Sequence, residues 1–276
     1  MAGTLIIFSD LDGTLLDHKS YSFDAARPAL SRAKAAGVPV ILATSKTAAE
    51  VSEIADAMGL GTPAIVENGG GIWFPDHADE GLREALDPAG LTYEEILRSL
   101  VDLGDKWRSC FTGFSAMSVN DVMRATGLER PAAEKAMLRQ HSEPGLWTGT
   151  EQELTVFSEA VRESGLQVLQ GGRFLHVMGQ TNKAARMLEL KAAYERLWRG
   201  DKVMTAALGD APNDQEMLET ANFGFIIANP NGKQIPILAG EADGRIVRTQ
   251  EAGPSGWNSA VNGLLDRLGI GAAKEE

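Results

Sequence analysis

Apolar residues in this chain come in short runs that each stop at a polar cluster. Leu5-Ile6-Ile7-Phe8 stops at Ser9-Asp10, and Val38-Pro39-Val40-Ile41-Leu42-Ala43 stops at Thr44-Ser45-Lys46. Pro63 to Val66 stops at Glu67-Asn68, and Met204 to Leu208 stops at Gly209-Asp210. Runs of this length read as buried strands. Between the first two lies Asp24, placed as an N-cap, and then an alanine-rich helix that ends near Gly37. After Thr44, the sequence Thr47-Ala48-Ala49-Glu50 reads as a capping box. Val51, Ile54, Ala55 and Met58 then fall at helical spacing, and Gly59 stops the helix. Strands alternating with helices predict an α/β fold with a parallel, doubly wound, Rossmann-like sheet.

That rhythm is interrupted from about Leu82 to Gly179. Ser118 to Asp121 reads as a capping box closed by Gly127, and Pro131 to His141 as a helix opened by its proline. Leu166 to Gln170 and Arg173 to Met178, joined by Gly171-Gly172, predict a hairpin. The rhythm then returns with a long helical pattern from Lys183, the Met204 run and a strand over Gly224 to Ala228. Trp257, Val261, Leu264, Leu265 and Leu268 form a final amphipathic helix, and Ala272 to Glu276 are expected to fray. Trp107, Trp147 and Trp198 read as core or interface residues.

Composition narrows the class. The 276 residues, 43% of them hydrophobic, suffice for two domains with a sizeable core. The one cysteine, Cys110, excludes an internal disulfide framework and fits a reducing cytoplasm. No apolar stretch approaches membrane-spanning length, and an acid stands already at Asp10, so neither a membrane partner nor a secretory signal is expected. A formal net charge of −12 argues against nucleic acid, whose binding rests on clustered Lys and Arg. It also leaves attraction of an anionic substrate to local groups such as lysines, helix N-termini and a bound cation. The expected assembly is a monomer or weak homodimer.

The end of the first run carries the chemistry. Asp10 and Asp12 stand two apart at a strand's carboxyl end, where open α/β sheets bind ligands, and extended chain points both to one side. Such a pair suits a divalent cation with a carboxylate nucleophile and an acid/base neighbour. Asp10-Leu11-Asp12-Gly13-Thr14 resembles the first motif of the haloacid dehalogenase-like phosphohydrolases. Thr44, Lys183 and Gly209-Asp210-Ala211-Pro212-Asn213-Asp214 resemble the second, third and fourth motifs in order. The resemblance implies that Asp10 is the nucleophile, that Asp12 is the general acid and base, and that Thr44 and Lys183 bind the phosphoryl oxygens. It implies Mg2+ held by the Asp10 carboxylate, the Asp12 backbone carbonyl and the Asp210 carboxylate, with Asn213 and Asp214 supporting them. It further implies that residues 82–179 are an inserted α/β cap domain for substrate specificity, and that residues 1–81 and 180–276 form the core domain.

The inserted segment narrows the resemblance. Gly113-Phe114-Ser115-Ala116-Met117-Ser118, Arg139-Gln140-His141-Ser142-Glu143-Pro144 and Gly171-Gly172-Arg173-Phe174-Leu175-His176 are similar to strings of the mannosyl-3-phosphoglycerate phosphatases. So are Glu67-Asn68-Gly69-Gly70 and Gly253-Pro254-Ser255-Gly256-Trp257-Asn258, which carries the likeness over almost the whole chain. This implies a small phosphorylated glycoside as substrate, most closely mannosyl-3-phosphoglycerate, hydrolysed to mannosylglycerate and phosphate. Other sugar phosphatases acting on glucosyl-3-phosphoglycerate or sucrose phosphate, a phosphomannomutase, and a phosphosugar-binding regulator are the alternatives. Lys46, Asn68, Glu143, Arg173 and His176 are the candidate substrate-binding residues. Arg173 and His176 are three apart, so a regular pleat sends them to opposite faces.

Overall fold

The computed structural model of the protein describes residues 4–86, 90–107, 109–171, 173–199, 202–230 and 232–271. Gly172 of the expected hairpin and the tail 272–276 lie outside the described residues. The chain opens with β1 (Thr4–Ser9), α1 (Arg27–Ala35), β2 (Val40–Leu42) and α2 (Ala48–Met58). Then come β3 (Ala64–Val66), β4 (Gly71–Trp73) and α3 (Glu80–Ala85). The α2 helix has the expected capping box at Thr47 and Glu50 and ends at Gly59 in the left-handed region. Asp24 is not an N-cap. It opens a single 3-10 turn, its carboxylate accepts from Arg27 Nε at 2.6 Å and from Ser22 Oγ, and α1 starts at Arg27 with Pro28 in its first turn.

The central sheet has the strand order β11-β10-β9-β1-β2 and is parallel throughout. It is completed after the insertion by α8 (Lys183–Leu197), β9 (Val203–Gly209), α9 (Gln215–Thr220), β10 (Phe223–Ala228), β11 (Ile246–Ala252) and α10 (Gly253–Arg267). β1 lies between β2 and β9, with Ser9 level with both Leu42 and Leu208, so three loops open at one edge of the sheet. Both faces are covered, which is why the strands read as unbroken apolar runs. Leu5 and Ile7 pack with Trp257 and Val261 of α10, while Ile6 and Phe8 pack with Met187 and Leu190 of α8. Beyond β2, Ala43 bridges to Ile65 and hangs the antiparallel β3–β4 pair on the sheet.

The insertion contains α4 (Tyr93–Asp102), β5 (Phe111–Gly113), α5 (Val119–Thr126), α6 (Arg130–Ala136), β6 (Ser142–Trp147), α7 (Glu151–Glu163), β7 (Leu166–Gly171) and β8 (Phe174–Gly179). Its strands form an antiparallel sheet ordered β5-β6-β8-β7. Ile96 of α4 and Phe157 and Val161 of α7 pack against it with Val177. Val122 of α5 and Ala133 and Ala136 of α6 form a separate apolar cluster with Phe114 and Phe174. Both α4 and α7 carry capping boxes, Thr92 with Glu95 and Thr150 with Glu153. The expected helix over Pro131 to His141 is shorter: α6 ends at Ala136, because the amides of Gln140 and His141 are claimed by the Glu67 carboxylate instead of helical carbonyls. The expected boundary at residue 82 falls inside α3, whose Leu82 packs together with Leu86 into the Ile6 and Phe8 side of the core. Among the described residues, no helix is long and apolar enough to cross a membrane.

Candidate active site

Asp10 follows the last residue of β1 directly, and its amide donates to Leu208 O of the neighbouring β9 at 2.9 Å. Behind it Trp257 Nε1 donates to Ser9 Oγ at 2.9 Å, and that hydroxyl donates to the Asp10 carbonyl at 2.7 Å. The indole of α10 thus anchors the strand end. Asp210 follows β9 in the same way. Its two carboxylate oxygens accept from Thr14 Oγ1 and Asn229 Nδ2, each at 2.6 Å. Gly13 has φ +87°, and a Cβ there would lie 2.7 Å from Asp210 Oδ2, so this turn needs glycine for its conformation and for close approach. Thr14 and Asn229 thus hold Asp210, and Asn229, directly after β10, is the one that the pattern of polar residues at strand ends could have revealed.

Lys183 is the first residue of α8, whose N-cap Asn182 accepts from Ala185 N at 2.8 Å. The ammonium is only 1% exposed and donates to Asp10 Oδ1 and Asp214 Oδ1, at 2.7 Å each. Burial alone would push its pKa down, but the two carboxylates outweigh it and raise it, so the group stays charged. Asp214 Oδ2 accepts from the amides of Asp210 and Ala211 and shapes the loop after β9. Asp10, Asp210 and Asp214 each offer a carboxylate oxygen within 4.8 Å of the others. Burial raises the pKa of Asp10 well above the usual carboxylate value against the pull of Lys183, with the like charges of Asp214 and Asp210 adding to the rise. Burial, then Asp214, raises that of Asp210. Three buried carboxylates around one ammonium leave excess negative charge, and an all-oxygen donor set of this kind fits a hard divalent cation.

Thr44 closes the Ala43 bridge and is buried, and its Oγ1 accepts from Lys46 N at 3.2 Å. Asn68 N donates to Thr44 O at 2.8 Å, and Asn68 Oδ1 accepts from Asn213 Nδ2 at 3.2 Å. The sequence-predicted residues Asp10, Thr44, Asn68, Lys183, Asp210, Asn213 and Asp214 are therefore linked in one network. Lys46 reaches Asp12, Nζ to Oδ2 at 2.8 Å. Burial would lower its pKa, yet Asp12 and Glu50 raise it. Asp12 Oδ1 is buried with no hydrogen-bond partner among the described residues. Beside this pair opens a cavity of about 480 Å3 between core and insertion, lined by Tyr21, Lys46, Glu50, Leu128, Glu129 and Pro131 among others.

The insertion's candidates are placed differently from one another. Glu143 is buried and accepts from Tyr93 Oη at 2.6 Å and from Ser115 N and Oγ at 2.9 and 2.6 Å. Burial lifts its pKa in spite of these donors. It lies level with Val177 on the α4 side of the sheet, whereas His176 lies level with Pro144 on the other side. His176 is buried, its Nδ1 has no partner among the described residues, and burial with the nearby Arg139 charge pushes its pKa down to about 3. Arg173 is exposed at the β7–β8 turn, and its Nη2 donates to Thr126 O at the end of α5 at 2.9 Å. Residues that the sequence reading did not assign a role are Glu67 and Arg139, a buried ion pair with Nε to Oε2 of 3.2 Å. An acid at the end of an apolar strand was the available signal for Glu67.

Comparison with known proteins places the chain in a family. A family model described as haloacid dehalogenase-like hydrolase matches residues 7–118. A glucosyl-3-phosphoglycerate/mannosyl-3-phosphoglycerate phosphatase of Methanococcoides burtonii is 36% identical over 95% of this chain and 97% of its own length. A protein of the same name from Persephonella marina is 33% identical over 96% of this chain and 98% of its own. Among solved structures, a phosphatase of the haloalkanoate (HAD) enzyme superfamily from Bacteroides thetaiotaomicron superposes with a TM-score of 0.66 at 18% identity, covering 97% of this chain and 96% of its own. The sucrose-phosphatase of Synechocystis sp. superposes with a TM-score of 0.58 at 17% identity, covering 97% and 99%.

Proposed function

The chain belongs to the haloacid dehalogenase-like hydrolases, and among them to the glucosyl-3-phosphoglycerate/mannosyl-3-phosphoglycerate phosphatase family, and from that membership we propose that this phosphoric monoester hydrolase releases phosphate from a glycosyl-3-phosphoglycerate. Mannosyl-3-phosphoglycerate is the first choice, which makes mannosylglycerate the product. The observation that carries the chemistry is Lys183 bridging Asp10 and Asp214 at 2.7 Å each, at the carboxyl ends of β1 and β9. Identity with the two relatives over nearly their whole length supports the substrate class.

In this reading an Asp10 carboxylate oxygen attacks phosphorus in line, the bond to the leaving oxygen breaks, and Asp12 gives that oxygen its proton. The aspartyl-phosphate so formed is opened by water, whose proton returns to Asp12 while phosphate leaves. Thr44 Oγ1 and the third N–H of Lys183 bind phosphoryl oxygens, and Lys46, beside Asp12, binds the substrate's anionic groups. Asp10, Asp210 and the Asp12 carbonyl would hold Mg2+, with Asn213 and Asp214 behind them; when bound it neutralises charge on the phosphoryl oxygens. The inserted sheet and its helices act as the specificity domain over a core that does the phosphoryl chemistry. Glu143, saturated by Tyr93 and Ser115, supports that domain from within, and His176 faces the Arg139 side.

The test is phosphate release from mannosyl- and glucosyl-3-phosphoglycerate, sucrose phosphate and mannose phosphates, each with magnesium and with EDTA. Release from the glycosyl-3-phosphoglycerates that stops in EDTA is the expected result. Preference for another sugar phosphate overturns the substrate, and full activity in EDTA overturns the metal. Transfer between positions of mannose phosphate without release makes the protein a mutase.

A further inference from the structure

The loop between β3 and β4 is held in a conformation its residues do not favour. Glu67 and Asn68 both have positive φ, 50° and 59°, where a Cβ crowds the backbone. Strain of this kind persists only where surrounding contacts over-determine it, and here they come from every side. Glu67 N donates to Lys46 O at 2.9 Å and Asn68 N to Thr44 O at 2.8 Å. Arg186 Nε of α8 donates to Gly69 O at 3.1 Å, and a Cβ on Gly69 would lie 2.2 Å from the Asn182 backbone, so the loop is wedged against the start of the Lys183 helix. Asn213 reaches Asn68 from the loop after β9.

The Glu67 side chain reaches into the insertion. Its carboxylate is fully buried and accepts from Gln140 N at 2.8 Å and His141 N at 3.2 Å, on the segment joining α6 to β6, and from Ser142 Oγ at 2.8 Å, at the start of β6. Arg139 lies against it and forks onto Ser45 O with both terminal nitrogens, at 3.3 and 3.2 Å. One ion pair therefore ties the insertion to the residues on either side of Thr44 and Asn68. What it orients is visible in Asn68, whose Oδ1 is occupied while its buried Nδ2 has no partner among the described residues. A buried amide donor left without an acceptor is costly unless a ligand supplies one.

We propose that Glu67 and Arg139 are positioning residues that aim the Asn68 amide at the substrate bound at the Asp10–Thr44–Lys183 site and make that aim depend on the seating of the insertion. The proposal rests on the active-site reading above. Neither residue touches substrate, and each acts through Asn68.

The experiment is a double-mutant cycle on the phosphatase reaction with mannosyl-3-phosphoglycerate, using Glu67→Gln, Asn68→Ala and the two combined. Each single variant is expected to lower kcat roughly ten- to hundred-fold, the cost of misplacing one contact, with KM within about twofold of the wild type. The combined variant is expected to be no slower than Asn68→Ala alone, since Glu67 has no other route to the reaction. Arg139→Lys keeps the charge but cannot fork onto Ser45 O, and it is expected to show the same kcat loss and the same absence of further loss with Asn68→Ala. It carries the test if Glu67→Gln does not fold. Losses that multiply, full kcat in the single variants, or failure of both substitutions to fold overturn the proposal, the last by making the pair purely structural. Asp10→Asn reports on the underlying reading separately. Turnover surviving Asp10→Asn removes the reaction itself, whereas multiplying losses beside an inactive Asp10→Asn remove only the positioning pair.

Discussion

Asp10 sits among charges that do not balance, since Asp210 and Asp214 lie close to it and, among the described residues, Lys183 supplies one bridging ammonium at 2.7 Å. In Asp10→Asn the ammonium keeps Asp214 as its partner while a desolvated charge is removed. Turnover is expected to fall more than about a thousandfold, ~4 kcal/mol in barrier, and the thermal midpoint is expected to stay or rise. Phosphate-release kinetics beside a melting curve check both. Retained turnover ends the nucleophile assignment, and a lowered midpoint ends the account of Asp10 as a buried charge that Lys183 only partly offsets. His176 gives a second prediction at this scale. Its pKa falls from 6.5 in the unfolded chain to about 3 when folded, because burial and Arg139 disfavour the imidazolium. Above 6.5 both states are neutral and the shift has no effect on stability. As pH falls through 6.5 the unfolded chain takes a proton that the folded protein refuses, so stability declines until about pH 3. One such group contributes about 1.4 kcal/mol per pH unit, so about 2 kcal/mol is lost between pH 6.5 and about pH 5. His176→Gln is expected to show a smaller loss on acidification over this range, measured by urea midpoints. Equal acid sensitivity in both proteins counts against a neutral, sequestered His176.

At the scale of elements, the site depends on how a few of them begin and end. β1 and β9 stop level with one another, and α8 starts with Lys183 as its first residue. Asn182 fixes that start through its bond to Ala185 N, and its Nδ2 also bonds Glu216 of α9. Asn182→Ala is expected to cost about 1 kcal/mol of stability, the usual worth of an N-cap, and to lower kcat by letting the first turn of α8 fray around Lys183. Chemical denaturation and kinetics test the two halves independently. Unchanged stability sinks the capping account, and unchanged kcat shows that Asp10 and Asp214 alone hold the lysine. The same scale shows where periodicity misleads. Pattern reading carried α6 on to His141, but a carboxylate from a distant loop captures the amides of Gln140 and His141. β6 escaped notice because Pro144, which lacks an N–H, sits inside it opposite His176.

Over the whole molecule, the parallel sheet carries the Asp10 and Asp210 loops at one edge, and α6 of the insertion meets the core on the side of α2. Thr47 Oγ1 of the core donates to Lys135 O of α6 at 3.0 Å, and Lys135 pairs with Glu53 of α2, so α6 rests on the core beside the cavity of about 480 Å3. Arg173 holds the other end of that arrangement through Thr126 O, just before Leu128 and Glu129 reach the cavity wall. Arg173→Ala is therefore expected to raise KM for the glycosyl-phosphoglycerate roughly fivefold, about 1 kcal/mol for one lost hydrogen bond, by loosening the α5–α6 connection. Hydrolysis of p-nitrophenyl phosphate, which needs only the core groups, is expected to stay unchanged. Equal damage to both substrates, measured side by side, ends this division of labour.

The sequence by itself determined the alternation of strand and helix, the doubly covered sheet, and the order of polar residues at the strand ends, because each is written in local spacing. A strand covered on both faces must be apolar throughout, so Leu5 to Phe8 announces itself, and the first polar residue after it has to lie at the sheet's edge. Asp10, Thr44 and Asp210 were legible for that reason, whereas Lys183, the first residue of α8, was legible through the motif resemblance. Only the tertiary structure decided the partners. Lys46 turned out to lie on Asp12, Glu143 to be enclosed by Tyr93 and Ser115, and Arg173 to bond a helix end. Glu67 and Arg139, 72 residues apart in sequence, meet because two folded units bring them together. A side chain's direction depends on the backbone φ of its own residue and on what the opposing surface offers. Neither quantity has a period along the chain, so residues working across the seam between core and insertion stayed hidden until the two were packed.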